Sequence, residues 1–479
     1  MSLSKLKILE AHKGLKNKDF SCKELVGSHI KEAEDKDKDI NAYVLQNFEV
    51  AMDDAGKIDE KIKKGEDIKI LEGLPVSIKD CFCVKGMEST ASSNILKGYV
   101  PPYDATAVKK VLEQGSIILG KVNTDEFTMG ASTETSAYGV TKNPYDLERV
   151  AGGSSGGSAA SVAAGMAMYS LATDTGGSIR QPATFCGVPG LKVTYGRVSR
   201  YGAMSMASSL DTIGPIAKSV EDLAIVLGAI AGHDKKDSTT PKVEVPDYVK
   251  ELDKDIKGLK IGVPKEYFIE GLSKDAQKSV EEAMQKLKDL GAEMVDISLP
   301  HTEHAIATYY IIAPSEISSN MARYDGVRYG FSVTRNKDEK VKNLMDIYKK
   351  SKSQGFGPEV KRRIMLGTYA LSTGYYDAYY KKAMKVRTLI KQDFDKAFLK
   401  VDAIIAPVTP GPAFKMGENT DDPLRMYLED IFTAPVNLAG VPSLSVPFGK
   451  SKNLPLGVQI IGRHFNEKTI LQIGNKLEN

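Results

Sequence analysis

Cysteine, histidine and net charge are all in short supply in this 479-residue chain, and each shortage removes a class of function. Four cysteines, Cys22, Cys81, Cys83 and Cys186, are too few and too scattered for a disulfide framework at this length. Cys81-Phe82-Cys83 has one intervening residue rather than two, and no second pair follows at zinc spacing, so no metal site is assigned. The 65 basic and 62 acidic residues leave a net charge of +3, which gives no bulk attraction to nucleic acid. No apolar run is long enough to span a membrane, and the first residues lack the apolar centre of a signal peptide. A cytoplasmic globular protein is the expectation, and a hydrophobic fraction of 42% with 27% charged residues fits one.

Glycine and serine are what the chain concentrates. Gly152-Gly-Ser154-Ser-Gly-Gly-Ser runs into an Ala-rich segment, and Asp174-Thr-Gly-Gly-Ser178-Ile-Arg-Gln-Pro182 follows. Glycine permits positive φ and close backbone approach. A serine on such a turn can present its hydroxyl where several backbone N–H groups converge, which suits a nucleophile with an oxyanion site. A flexible linker would not continue into an apolar Ala-rich helix, and a phosphate loop would need Gly-Lys-Ser/Thr. The small residues from about Gly156 to Gly165 predict a buried helix. Its N-terminus would direct partial positive charge at Ser154 and Ser155.

Around this stretch, strands and helices alternate, which predicts an α/β fold. Residues 1–65 read as helices, with a capping box at Ser21-Cys-Lys-Glu24. Leu74-Pro-Val-Ser-Ile-Lys79 reads as a short strand, and Phe127 to Thr133 as a loop that could line a pocket. Met168 to Ala172 reads as a strand whose end carries Asp174, paired with Arg180 to hold the turn. Ligands of α/β sheets collect at the carboxyl ends of strands. Residues 301–400 read as helices without strands, a cap over the sheet, before strands return at Asp402, Ser443 and Gly457. The whole is read as one domain, with N-terminal helices (1–65), a core (about 66–235) and the helical cap (about 300–400) inserted before the last strands.

Ser178 needs a proton acceptor. None of His12, His29, His233, His301, His304 and His464 lies near the serines in sequence, so a Ser-His-Asp arrangement requires the fold to deliver one. His301 and His304 read as exposed and without an acidic ligand. The other arrangement is serine–lysine. A lysine base must be neutral, and lowering its pKa by about 3 units from about 10.4 takes roughly 4 kcal/mol, which demands burial. Lys79, at the end of an apolar strand, is the candidate, although its local pattern alone reads as a surface lysine.

The two serine-bearing turns, in this order and with Lys79 upstream, resemble the signature of the amidase signature family. The resemblance implies a central mixed β-sheet surrounded by helices. It also implies Ser178 as nucleophile, Ser154 as relay after a cis peptide bond and Lys79 as base. The oxyanion would be held by backbone N–H groups of Thr175, Gly176, Gly177 and Ser178. Thr124-Asp-Glu-Phe-Thr-Met-Gly130, Ser319-Asn-Met-Ala-Arg-Tyr-Asp-Gly-Val-Arg-Tyr-Gly330, Val360-Lys-Arg-Arg-Ile-Met-Leu-Gly367 and Pro435-Val-Asn-Leu-Ala-Gly-Val-Pro442 further resemble one branch of that family. These are the A subunits of glutamyl/aspartyl-tRNA amidotransferases. That branch implies glutamine as substrate, Arg363 on its α-carboxylate, Asp430 on its α-ammonium and Tyr309 lining the pocket. It implies B and C subunits as partners, with ATP and Mg²⁺ used by the assembly rather than by this chain, and mischarged tRNA held mainly by the B subunit. The alternatives are a free-standing amidase and a non-catalytic scaffold subunit.

Overall fold

The computed structural model describes residues 2–335 and 340–479. Its strands, in chain order, are β1 (Tyr43–Gln46), β2 (Pro75–Lys79), β3 (Ile117–Val122), β4 (Lys142–Asn143), β5 (Asp146–Val150), β6 (Tyr169–Asp174) and β7 (Gly190–Lys192). There follow β8 (Thr212–Ala217), β9 (Lys260–Pro264), β10 (Glu293–Ile297), β11 (Ala403–Pro407), β12 (Ser443–Ser451) and β13 (Leu454–Gly462). Eleven of them form one sheet in the order β1-β3-β2-β6-β8-β7-β12-β13-β11-β9-β10, and β4 with β5 forms a separate hairpin. β2 runs parallel to both β3 and β6, whereas β6–β8, β7–β12 and β12–β13 are antiparallel, so the sheet is mixed as the resemblance implied.

Sequence explains the central strands directly. Every residue of β2, β3 and β6 is buried, because helices cover both faces of this part of the sheet. Val76, Ile78, Leu119 and Leu171 have no exposed surface, and each such side chain contributes roughly 1.5–3 kcal/mol of burial. The helix Gly156–Ala163 packs on β2 and β6, and residues 156–162 are buried. Only side chains as small as its Ala, Ser and Gly let a helix lie so close to two strands.

The N-terminal region is not wholly helical. Ser21 caps the helix Cys22–Ile40 with the expected reciprocal bonds to Glu24, and Asn41, at φ 60°, ends it. β1 follows at once and pairs antiparallel with β3 at the sheet edge. Four residues of half-buried strand carry too weak a periodicity to stand out between two amphipathic helices.

Helices Ala305–Asn320, Leu344–Gly355, Pro358–Ala370 and Lys382–Ala397 make up the region read as a cap. Ala305–Asn320 packs on Pro358–Ala370 and Lys382–Ala397. Arg387 fastens this group to the core by donating to the carbonyls of Leu438 (3.0 Å) and Ser209 (2.8 Å). Glu316 adds a second tie by accepting from the Ser209 hydroxyl at 2.6 Å. Among the described residues no helix is long and apolar enough to cross a membrane.

Candidate active site

Lys79 closes β2 and has no exposed surface, so the reading of it as a surface lysine fails. Its Nζ donates to Ser154 Oγ at 2.8 Å, Ser155 Oγ at 2.8 Å and Thr173 Oγ1 at 2.9 Å. Its hydrogen-bond partners are hydroxyls and one carbonyl, with no carboxylate among them. Burial therefore outweighs the opposing pull of Cys81, Asp125 and Asp174 and brings the ammonium down to about 8. The peptide bond Gly153–Ser154 is cis.

Ser178 sits on the turn that leaves the end of β6, and Ser155 N–H donates to its carbonyl at 3.1 Å, which joins the two serine turns. The Ser178 hydroxyl has no hydrogen-bond partner among the described residues and retains a little exposure, whereas Ser154 has none. Lys79 and Ser154 are thus in contact, while the Ser178 hydroxyl is free. Asp174 and Arg180 pair as expected, with Arg180 Nε 3.1 Å from Asp174 Oδ2. Burial pushes the Asp174 carboxyl up, but the guanidinium outweighs it and holds the group at about 2. Arg180 also donates to Gln459 Oε1, the Thr433 carbonyl and Asn437 Oδ1, so the turn is fixed by residues from two later segments.

The backbone N–H groups of Gly176, Gly177 and Ser178 have no acceptor among the described residues. Thr175 is tied through its hydroxyl to Asp211 at 2.7 Å. A Cβ on Gly176 would lie 2.8 Å from Tyr309 Oη, and one on Gly177 would collide with Thr433. Gly177 also has φ 152°, so this turn admits only glycine at both places. Unpaired N–H groups beside a free hydroxyl are what an oxyanion site requires.

These contacts bring the distant candidates in. Tyr309 lies over Gly176, and Asp430 Oδ1 comes within 3.2 Å of the Cβ position of Gly177. Burial raises Asp430 to about 7, with Tyr310 Oη, which donates to it at 3.1 Å, and Arg363 pulling the other way. Arg363 is nearly buried. Its Nε donates to Glu359 at 2.7 Å, and its two terminal nitrogens make no hydrogen bond among the described residues. Tyr310 and Tyr427 stack on each other at 3.7 Å, and the guanidinium lies 5.5 and 5.8 Å from their ring centres. A cavity of about 470 Å³ opens along this wall, lined in part by Glu126, Ala131, Ser132, Glu359, Arg363 and Tyr427. The loop 127–133 does contribute to it, as its sequence suggested.

No histidine is hydrogen-bonded to Ser154, Ser155 or Ser178 among the described residues. His29 Nδ1 is bonded to Gly165 O at 2.7 Å, and both His301 and His304 have acidic partners, Asp393 at 3.0 Å and Glu303 at 3.3 Å, against the sequence reading. Asp393 comes from a helix and lies 92 residues further on, beyond any local pattern. Sequence reasoning also missed Thr173, Ser155, Tyr310, Glu359 and Tyr427. Thr173 is brought to Lys79 by the adjacent, parallel pairing of β2 and β6, with Ile78 opposite Leu171, an adjacency no local pattern shows. The four cysteines are free and buried, and Cys81 Sγ lies 3.9 Å from Thr173 Oγ1.

A buried lysine on serine hydroxyls, with a free serine beside open N–H groups, defines an amide-cleaving class of site. The family model described as Amidase matches residues 24–471, and the chain belongs to that family. Over 479 residues it is 56% identical to the glutamyl-tRNA(Gln) amidotransferase A subunit of Geobacter metallireducens, covering 100% of this chain and 98% of that one. It is 54% identical over 478 residues to the protein of the same name from Carboxydothermus hydrogenoformans, again covering 100% and 98%. The crystal structure of the glutamyl-tRNA(Gln) amidotransferase A subunit from Thermotoga maritima superposes with a TM-score of 0.81 at 42% identity, covering 99% of this chain and 94% of that chain.

Proposed function

We propose that this chain hydrolyses glutamine and supplies the ammonia to partner subunits that amidate a mischarged tRNA. The observation that carries the chemistry is the buried Lys79 ammonium, bonded to Ser154 with no carboxylate to keep it charged. Neutral Lys79 takes the Ser154 proton as Ser154 takes that of Ser178, and Ser178 Oγ attacks the carboxamide carbon. The relay needs the Ser178 hydroxyl to turn towards Ser154 once substrate is bound, a tightening common in occupied sites. The N–H groups of Gly176, Gly177 and Ser178, with Thr175 at the base of the turn, meet the negative oxygen. The proton returns through Ser154 to the leaving nitrogen, ammonia departs, and water resolves the glutamyl ester by the same route. The products are glutamate and ammonia.

Arg363 and Asp430 fit the other end of glutamine. Two free guanidinium nitrogens suit a carboxylate, and a carboxylate suits an ammonium. Tyr309, which lies over Gly176, would bound the substrate on the side of the serine turn. The relatives named as A subunits of glutamyl-tRNA(Gln) amidotransferase support a heteromeric assembly in the cytoplasm. In it, a B subunit would hold the mischarged Glu-tRNA or Asp-tRNA and activate its carboxylate with ATP and Mg²⁺, helped by a small C subunit. This chain contributes the ammonia.

The test is glutamate release by the chain, alone and with B and C subunits and mischarged tRNA, for wild type and Ser178→Ala. Release that rises with the partners and vanishes in the variant is expected. Release indifferent to the partners would make the chain a free-standing amidase, and tRNA amidation surviving in Ser178→Ala would make it a scaffold.

A further inference from the structure

Glu126 is almost fully buried, yet it lies in neither serine turn and takes no part in the proposed proton route. Its carboxylate spans two structures. Oε2 accepts from the Gly357 N–H at 2.8 Å, and Oε1 accepts from the Ser93 hydroxyl. Gly357 is the cap position of the helix Pro358–Ala370, which has no side-chain cap of its own. The first N–H groups of a helix lack partners within it and carry partial positive charge, so a carboxylate there both satisfies and attracts them. Arg363 lies on that helix six residues further, about 9 Å along its axis.

Further contacts hold the same joint. Phe127 packs on Phe356 at 5.8 Å, and the Ser93 hydroxyl also reaches the Gly355 carbonyl at 3.4 Å. On its other side the Glu126 turn leads to Ala131, whose carbonyl accepts from Gln181 Nε2 at 2.9 Å. Gln181 Oε1 accepts in turn from Gly153 N–H at 2.9 Å, the residue before Ser154. A path of hydrogen bonds, packed rings and the backbone of residues 126–131 therefore runs from the helix of Arg363 to the turn of Ser154, and Glu126 is its joint.

We infer that Glu126 is a positioning residue that sets the distance between the substrate-holding Arg363 and the serine turns. The inference rests on the reading of Arg363 given above. A Cβ on Gly357 would run into Glu126 Oε2, so glycine there lets the carboxylate sit where it does.

The experiment measures glutamine hydrolysis by the full chain assembled with its B and C subunits. Glu126→Ala should raise KM for glutamine about tenfold or more, with kcat changed less than about threefold, as expected when ground-state and transition-state binding weaken together. Glu126→Gln, whose amide oxygen can still accept from Gly357, should restore most of the affinity. Gly357→Ala keeps the Glu126 side chain but displaces its carboxylate from the helix cap, and should reproduce the KM rise even if Glu126→Ala does not fold. Ser178-dependent acylation by p-nitrophenyl acetate, which has no α-carboxylate, should change far less than glutamine turnover in all three. An unchanged KM in Gly357→Ala overturns the inference, as does a parallel loss of glutamine turnover and acylation. Arg363→Ala separates the two readings. If it raises KM and Gly357→Ala does not, the role of Glu126 alone fails; if it leaves KM unchanged, the substrate reading fails first.

Discussion

The two ends of the site are built by different means. The reacting end, Lys79, Ser154, Ser155, Thr173 and Ser178, comes from the ends of two adjacent parallel strands and the turns beside them. Its groups are fixed by backbone and by direct hydrogen bonds to one another. The recognition end, Tyr309, Arg363 and Asp430, comes from segments more than 50 residues apart, and it is held by stacked rings and by joints such as Glu126. Chemistry that tolerates little displacement rests on the sheet, whereas binding rests on helices that can be exchanged for others without disturbing the sheet.

This contrast can be broken first at its most rigid point. Ser178→Ala should lower glutamate release by on the order of 10⁴-fold or more while leaving KM near its original value. Lys79→Arg should do almost as much, because a guanidinium does not lose its proton. At the recognition end, Arg363→Ala should cost about 10²-fold or more in kcat/KM, the worth of two charge-assisted hydrogen bonds. That loss should appear in KM and spare small amides without an α-carboxylate. A pH series separates the ends without mutation. In the proposed mechanism neutral Lys79 is the active form, and burial brings its ammonium down to about 8, so turnover should rise about tenfold per unit up to pH 8 and level off above it. Asp430 titrates at about 7, so glutamine affinity should fall as pH drops below 7 and the carboxylate is neutralised. The smallest effect belongs to Thr433→Val. It removes the hydroxyl that donates to Gly176 O at 2.6 Å, and roughly 1–3 kcal/mol of stability should go with it in chemical denaturation.

What could be read in the sequence follows the same division. The serine turns, the strand that carries Lys79 and the Asp174–Arg180 pair were legible because their determinants are contiguous. Neighbouring lysines show why Lys79 needed more than its strand. Lys121, on the next strand, is equally buried but is paired with Asp80 at 2.9 Å. Lys192 is lowered to about 7 by burial and Arg180, yet it donates only to the Val193 and Val441 carbonyls. Burial and a lowered pKa do not single out the base; the serine hydroxyls around Lys79 do. Arg363, Asp430 and Tyr309 are surface-like charges or core-like rings in their local windows, and only family resemblance drew attention to them. Tyr310, Tyr427 and Glu359 offered no local signal, since what distinguishes them is whom they touch after folding. β1 was lost for want of length.

The strand order has a consequence for how the protein is made. β12 and β13 lie in the middle of the sheet, between β7 and β11, although they come from residues 443–462. Arg180, which holds the Ser178 turn, finds Gln459 on β13. At ribosomal speeds of about 5–20 residues per second, roughly 15–60 s separate the synthesis of Ser178 from that of its support. During that interval the nascent chain has both serines and the lysine but no completed turn to hold them. It should release no ammonia until the central strands have emerged and been inserted, so hydrolysis begins only with a finished chain.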